Sequence, residues 1–129
     1  MIKIVVSIQN GLLAEAMTAM LRESGEFIPY RISVGGKNDS IVTESEMLEA
    51  QMVLAEVSYA NGTTVETRLK EVKELRKRLP ACKIVLLCDE NSAPSIAREV
   101  MMAKKDGLID GFFYSSVTAK YILAALLAL

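Results

Sequence analysis

Short apolar runs alternate along the chain with longer stretches in which apolar residues recur every three or four positions. Five runs, rich in β-branched residues, predict strands within residues 2–8, 27–34, 52–57, 83–88 and 108–114. Pro29 lies in the second run. Because proline cannot donate a backbone hydrogen bond, it predicts that this strand lies at a sheet edge.

The stretches between the runs predict five helices, at about residues 12–24, 40–50, 64–79, 92–105 and 118–129. Polar residues that favour helix N-termini stand at the expected starts. Ser116 or Thr118 is expected to cap the last helix, and capping is also the expected role of Ser115. Strands that alternate with helices through short loops predict an α/β domain with a mostly parallel sheet.

In such a domain the functional surface lies at the carboxyl ends of the strands. Here these ends correspond to residues 7–11, 34–37, 56–61, 88–91 and 114–117. Neither an internal repeat nor a second domain is evident, so residues 1–129 are expected to form one domain.

Composition adds several exclusions. Fifteen Lys and Arg against sixteen Asp and Glu give a net charge of -1, which offers no general attraction for nucleic acid or anionic lipid. The chain has no His, which excludes Ser-His-Asp and Cys-His catalysis and His-containing metal sites. No metal ligand set, catalytic residue or cofactor is predicted.

The two cysteines and the lack of a long apolar stretch indicate where in the cell the protein is expected. Cys82 and Cys88 fall on one strand at roughly 20 Å from each other, too far for a disulfide. Both are predicted to be small buried hydrophobes in a reducing compartment. The longest apolar stretch, residues 121–129, is far shorter than the roughly 20 residues of a membrane span. A cytoplasmic protein without membrane contact is expected.

The order and lengths of the elements resemble the receiver domain of bacterial two-component response regulators, over the whole chain. The segments KIVVSIQN before LLAEAMTAMLRES, QMVLAEVSYANG, KIVLLCDEN and IDGFFYSS carry the resemblance. It implies a flavodoxin-like fold, a five-stranded parallel sheet of order 2-1-3-4-5 with helices on both faces. It also implies a regulatory function in signal transduction rather than an enzyme.

The resemblance implies a degenerate phosphoacceptor pocket. The two acidic Mg²⁺ ligands of the family match Ile8 and Gln9, and the phosphoacceptor Asp matches Glu56. The hydroxyl residue after the fourth strand matches Cys88, and the Lys after the fifth strand matches Ser115. The aromatic switch position is kept, as Phe112.

The loss of the Mg²⁺ ligands and the loss of the Lys point to the same conclusion. Mg²⁺ requires oxygen ligands in octahedral geometry, whereas Ile8 supplies none and Gln9 only a neutral one. Ser115 cannot supply the cation that phosphoryl transfer needs. We therefore expect a pseudo-receiver that is not phosphorylated by the Mg²⁺-dependent route. Two interpretations of Glu56 stay open: a fixed charge that mimics a phosphorylated Asp, or a solvated carboxylate.

Two further groups of residues can be assigned roles. The third helix is locally basic and is predicted to be a solvated face, not a nucleic-acid groove, because aromatic residues are missing there. Its basic residues are Arg68, Lys70, Lys73, Arg76, Lys77 and Arg78. The last helix is apolar on all sides, which indicates that it packs either on a partner subunit or on a following segment that this chain lacks.

We expect a homodimer contact through the fourth helix, fifth strand and fifth helix, as in many receiver domains. The candidate interface residues are Met101, Met102, Tyr121 and Leu126. A covalently linked output domain, absent from this chain, is also expected.

Two alternatives keep the same architecture. A small flavodoxin-like domain that binds a cofactor or ligand would need a phosphate-cradling loop, for which SIQNG offers one Gly, and GxGxxG is absent. A conventional receiver that uses Glu56 or Ser58 as phosphoacceptor conflicts with the lost Mg²⁺ ligands and the lost Lys.

Overall fold

The structure, a computed structural model, describes residues 1–32, 41–59, 63–88 and 94–129. Its strands are β1 (Ile2–Ser7), β2 (Phe27–Arg31), β3 (Met52–Val57), β4 (Lys83–Cys88) and β5 (Gly111–Tyr114). Its helices are α1 (Gly11–Glu23), α2 (Ile41–Leu48), α3 (Val65–Arg78), α4 (Pro94–Lys105) and α5 (Ala119–Leu127). Every predicted element is present in the predicted order.

The strands form one parallel sheet of order β2-β1-β3-β4-β5, which confirms the predicted topology. Pro29 lies opposite Ile4 in the edge strand β2, so its missing N–H leaves no gap between two inner strands. The three central strands are buried on both faces, because each face is covered by helices.

Alternate residues of the strands supply two separate cores. On one face Val53 and Ala55 pack with α2, α3 and α4. On the other face Met52 and Leu54 pack with α1 and α5. This arrangement leaves the strand carboxyl ends as the edge where polar side chains can gather.

Helix starts follow the predicted chemistry with one correction. Asn10 caps α1 through Leu13 N–H, and Thr64 caps α3 through Thr67 N–H. Thr118 caps α5 through the N–H of Tyr121 at 3.1 Å. The expectation that Ser115 or Ser116 would be the cap is therefore wrong, because the helix begins after both. The predicted caps of the second and fourth helices lie outside the described residues.

Leu126 corrects the set of interface candidates. It is only 1% exposed and packs with Ile122 in the core beneath α5, so it cannot line an outer surface. Although the helix is apolar on all sides, only one side fills the core. Tyr121 and Leu127 on the other side are exposed. Composition alone could not separate the two sides.

A side-chain cluster ties the amino-terminal ends of the sheet to the end of α3. Arg76 donates to the carbonyl oxygens of Cys82 at 3.2 Å and Leu108 at 3.2–3.3 Å and to the Asp110 carboxylate at 2.9 Å. The same carboxylate oxygen accepts the N–H of Ile84 at 2.7 Å. The cluster fixes the start of β4 against the loop that leads into β5.

Replacement of this carboxylate gives a test of that cluster. Asp110→Ala is expected to lower the free energy of unfolding by about 2–4 kcal/mol, because it strands the Ile84 N–H and a half-buried guanidinium. Urea denaturation measures the loss. Asp106→Ala, at an exposed position, is the matched control and should change stability by less than about 0.5 kcal/mol. Equal losses in both variants would contradict the assignment.

Candidate functional site

The predicted pocket residues lie at the carboxyl ends of β1, β3, β4 and β5. Register places Ser7 opposite Ala55, so the next residues along are Ile8, just past the end of β1, and Glu56, the last residue but one of β3. Ile8 is buried in the core with α1 and α5, and Gln9 is exposed. The first of the two positions that match the family's acidic pair is thus a packing residue.

Glu56 is half-buried and is joined to the segment after β1. Its carboxylate oxygen Oε1 accepts the backbone N–H of Gln9 at 3.0 Å. A charged acceptor makes this a stronger bond than one between neutral groups. The carboxylate therefore links the end of β3 directly to the β1–α1 connection.

The main residue that the sequence analysis misassigned is Arg68, which it placed on a solvated face. Arg68 is only 2% exposed, and its guanidinium lies against the main chain at the ends of β1 and β3. It donates from Nε to the Glu56 carbonyl oxygen at 2.8 Å and from Nη2 to the Ser7 carbonyl oxygen at 3.0 Å. The third contact runs from Nη1 to the Glu71 carboxylate at 3.2 Å.

Opposing effects act on this ion pair. Burial lowers the pKa of Arg68, while its attraction to Glu71 and Glu56 opposes that shift. Burial likewise raises the pKa of Glu71, and the nearby guanidinium opposes the rise. Arginine keeps its proton in proteins at neutral pH, so the pocket contains a permanent positive charge.

Helical spacing held the signal that identifies this residue. Arg68 comes three residues after Val65 and four before Val72, and both of these are buried. Those offsets place it on the inner side of α3. The charge of Arg68 favoured an exposed position, whereas its helical spacing favoured a buried one. A long side chain can satisfy both, because its stem is buried while its charged group reaches the sheet edge.

The remaining pocket positions contribute no charge. Cys88 is buried with Val57, its partner in register, whereas Glu56 pairs with Leu87, which belongs to the opposite core. The thiol is therefore not presented on the same side of the sheet as Glu56. Ser115 is half-buried and donates its backbone N–H to the Cys88 carbonyl oxygen at 2.8 Å.

Phe112, the predicted switch aromatic, is partly buried. Its ring lies edge-on to Tyr114, with ring centroids 6.0 Å apart. Lys104 Nζ of α4 lies 5.8 Å from the centroid of the Phe112 ring. The aromatic position thus connects β5 to α4.

These residues do not fit Mg²⁺. Among the described residues no group of three or more acidic, Cys or His side chains is placed to hold a metal. Ile8 is apolar and buried, and Glu56 already accepts a hydrogen bond from Gln9. The guanidinium of Arg68 adds positive charge within the same pocket, which opposes a divalent cation.

Comparison with known proteins agrees with this architecture. No protein-family model matches the sequence, and no curated protein matches it. Among solved structures, a DNA-binding response regulator of the LuxR family from Staphylococcus aureus superimposes with a TM-score of 0.75 at 13% identity, covering 98% of this chain and 96% of that one.

The chain has the receiver fold. The REC domain of AraT, a response regulator from Geobacillus stearothermophilus, gives a TM-score of 0.72 at 11% identity, over 98% of this chain and 90% of that one. A response regulator from Burkholderia pseudomallei, with a phosphorylated aspartic acid and a calcium ion, gives 0.66 at 18% identity, over 98% and 66%. In the receiver fold of this chain, Glu56 is the position predicted to match such an aspartate.

The three other interface candidates lie on the outer surface of this receiver fold. Met101 and Met102 are exposed on α4, and Tyr121 is exposed on α5. The ring of Tyr121 packs edge-on against Phe113 of β5, with centroids 6.1 Å apart. Within the described parts of the chain, no helix is long and apolar enough to cross a membrane.

Burial makes the two thiols of the receiver fold poor nucleophiles, since it raises the pKa of Cys82 and of Cys88 from 9.0 to about 11. Native protein at pH 8 is expected to react with iodoacetamide at least about a hundredfold more slowly than urea-unfolded protein, because the thiolate is the reactive form. The rate should rise about tenfold per pH unit up to pH 11. Mass spectrometry of the alkylated protein measures the rates. Similar rates in native and unfolded protein would contradict thiol burial.

Proposed function

We propose that this chain is a regulatory receiver-like domain that works through protein contacts and is not phosphorylated by the Mg²⁺-dependent route. The observation that carries the proposal is the arrangement at the ends of β1 and β3. There a buried Arg68 and the contact between Glu56 and Gln9 lie at the strand ends that the resemblance matches to the family's metal site. Phosphoryl transfer without a metal lacks the charge neutralisation that stabilises its transition state.

The proposal covers the organisation of the protein as well. We take residues 1–129 as one domain, linked in the full protein to an output domain. Two buried, protonated thiols are consistent with a reducing compartment such as the cytoplasm.

Ion pairs along α3 argue against nucleic acid as a partner of this domain. Five of its six basic side chains are paired with carboxylates, and two of the five are buried or half-buried. A phosphate backbone requires a row of available cations, and stacking would also require aromatic residues. Protein surfaces are therefore the proposed partners.

The proposed protein contact is a homodimer through α4, β5 and α5. The exposed methionines of α4 and the exposed Tyr121 of α5 provide adaptable apolar area on two helices that each contact β5. Aromatic residues and Met are enriched in protein interfaces, which supports this face over the charged face of α3.

Acetyl phosphate tests the lost phosphorylation. Incubation of the protein with acetyl phosphate and Mg²⁺ is expected to leave its intact mass unchanged, because the described part of the chain provides no metal site and Ser115 stands where the family has its Lys. Electrospray mass spectrometry detects an adduct of about 80 Da. A conventional receiver domain treated in parallel is the positive control. An adduct on this protein would overturn the proposal.

Sedimentation velocity tests the dimer. The double variant Met101→Glu, Tyr121→Glu is expected to sediment as a monomer at concentrations where the unaltered protein is a dimer, because charges on a docking face must be desolvated. Met47→Glu, at an exposed position on α2, is the control and should remain dimeric. A monomeric unaltered protein at high concentration would contradict the interface.

A further inference from the structure

We propose that Arg68 is the resident cation of the strand-end pocket: a positioning residue that holds the ends of β1 and β3 together as a bound metal ion would, and that keeps divalent ions out. The inference rests on the proposed loss of the metal-dependent route. It goes further by naming the group that took over the metal's mechanical and electrostatic roles.

The mechanical role follows from where the three donors point. The fork of Arg68 joins the Ser7 carbonyl oxygen, at the end of β1, to the Glu56 carbonyl oxygen, at the end of β3. These are adjacent strands, and a metal ion bound between them would also bridge their ends. A planar guanidinium can hold two separate acceptors at fixed angles, which an ammonium group does less well.

Glu71 of α3 orients the guanidinium of Arg68. Its carboxylate is mostly buried, lies one turn after Arg68 and accepts from Nη1 at 3.2 Å. The contact turns the fork so that its remaining donors face the strand ends. It also supplies a counter-charge, without which a buried guanidinium would be strongly unfavourable.

Glu56 adds a second link between the ends of β1 and β3. Its main-chain oxygen accepts from Arg68, and its side-chain oxygen accepts from Gln9 N–H beyond the end of β1. Glu56 is therefore joined to the end of β1 in two ways: its main-chain oxygen through the buried Arg68, and its carboxylate directly through the exposed Gln9. No metal or phosphoryl group is needed to close the gap.

The electrostatic role follows from burial. A divalent ion at the Glu56 carboxylate would meet the guanidinium anchored on the main chain of the same residue, whose positive charge the Glu71 carboxylate at Nη1 offsets only in part. Only 2% of Arg68 is exposed, so water screens this repulsion poorly. Arg76 cannot act in the same way, because its contacts lie at the opposite ends of the strands.

Binding of Mn²⁺ alone, measured by water-proton relaxation, tests the exclusion. Gln9→Asp adds a second carboxylate at an exposed position beside Glu56. We expect this variant to bind Mn²⁺ at least about tenfold more weakly than the double variant Gln9→Asp, Arg68→Met, in which the positive charge is gone. Gln9→Asp combined with Arg68→Lys should behave like Gln9→Asp. Equal Mn²⁺ affinity with and without the charge would overturn the exclusion.

Amide hydrogen exchange tests the mechanical role and does not need the apolar variant to fold. Arg68→Lys keeps the charge but loses the fork, so we expect the Gln9 and Ser58 amides to exchange at least about tenfold faster. The Ile84 amide, at the opposite end of the sheet, should be unaffected. Arg76→Lys is the matched control and should give the reverse pattern. A uniform change at both ends of the sheet would overturn the positioning role.

The outcomes separate this inference from the proposed function. An acetyl phosphate adduct on the unaltered protein overturns the proposed function, whatever the variants do. An inert unaltered protein whose Gln9→Asp variant binds Mn²⁺ equally well with or without Arg68 overturns the role of Arg68 alone.

Discussion

A buried guanidinium is costly to desolvate, and the carboxyl edge of this sheet is built around satisfying one. Arg68 has lost nearly all its contact with water, so each of its donor groups must find an acceptor within the protein. It finds two main-chain oxygens at the ends of β1 and β3 and one carboxylate on its own helix. Because those acceptors belong to three elements, satisfying one charge also fixes α3 against the strand ends.

The same helix secures both ends of the sheet through arginine. Arg68 acts near the start of α3 at the carboxyl edge, and Arg76 acts near its end at the amino edge. Each bonds to main-chain carbonyl oxygens, which are present whatever the side chain at those positions. Such contacts do not depend on the side chains at the predicted phosphoacceptor pocket, so these two contacts place no restriction on the residues there.

The proposed loss of the metal ligands and the presence of a buried cation would be complementary changes. A carboxylate cluster without a metal would repel itself, and a buried cation beside a complete cluster would compete with the metal. Here Ile8 fills core volume, and Glu56 uses its longer side chain to reach Gln9 N–H. The charged groups of the pocket are therefore satisfied by other groups of the same chain.

The sequence by itself determined the elements, their order and the sheet topology. Short continuous apolar runs indicated strands, apolar residues three to four positions apart indicated the buried faces of helices, and Pro29 marked an edge strand. Tertiary structure decided the roles that depend on direction: which side of α5 meets the core, that Thr118 rather than Ser115 or Ser116 caps it, and that Arg68 turns inward. A helical position states which face a residue occupies. Whether a charged side chain is buried there depends on acceptors more than sixty residues away in the chain, such as the Ser7 carbonyl oxygen, and no local pattern contains that information.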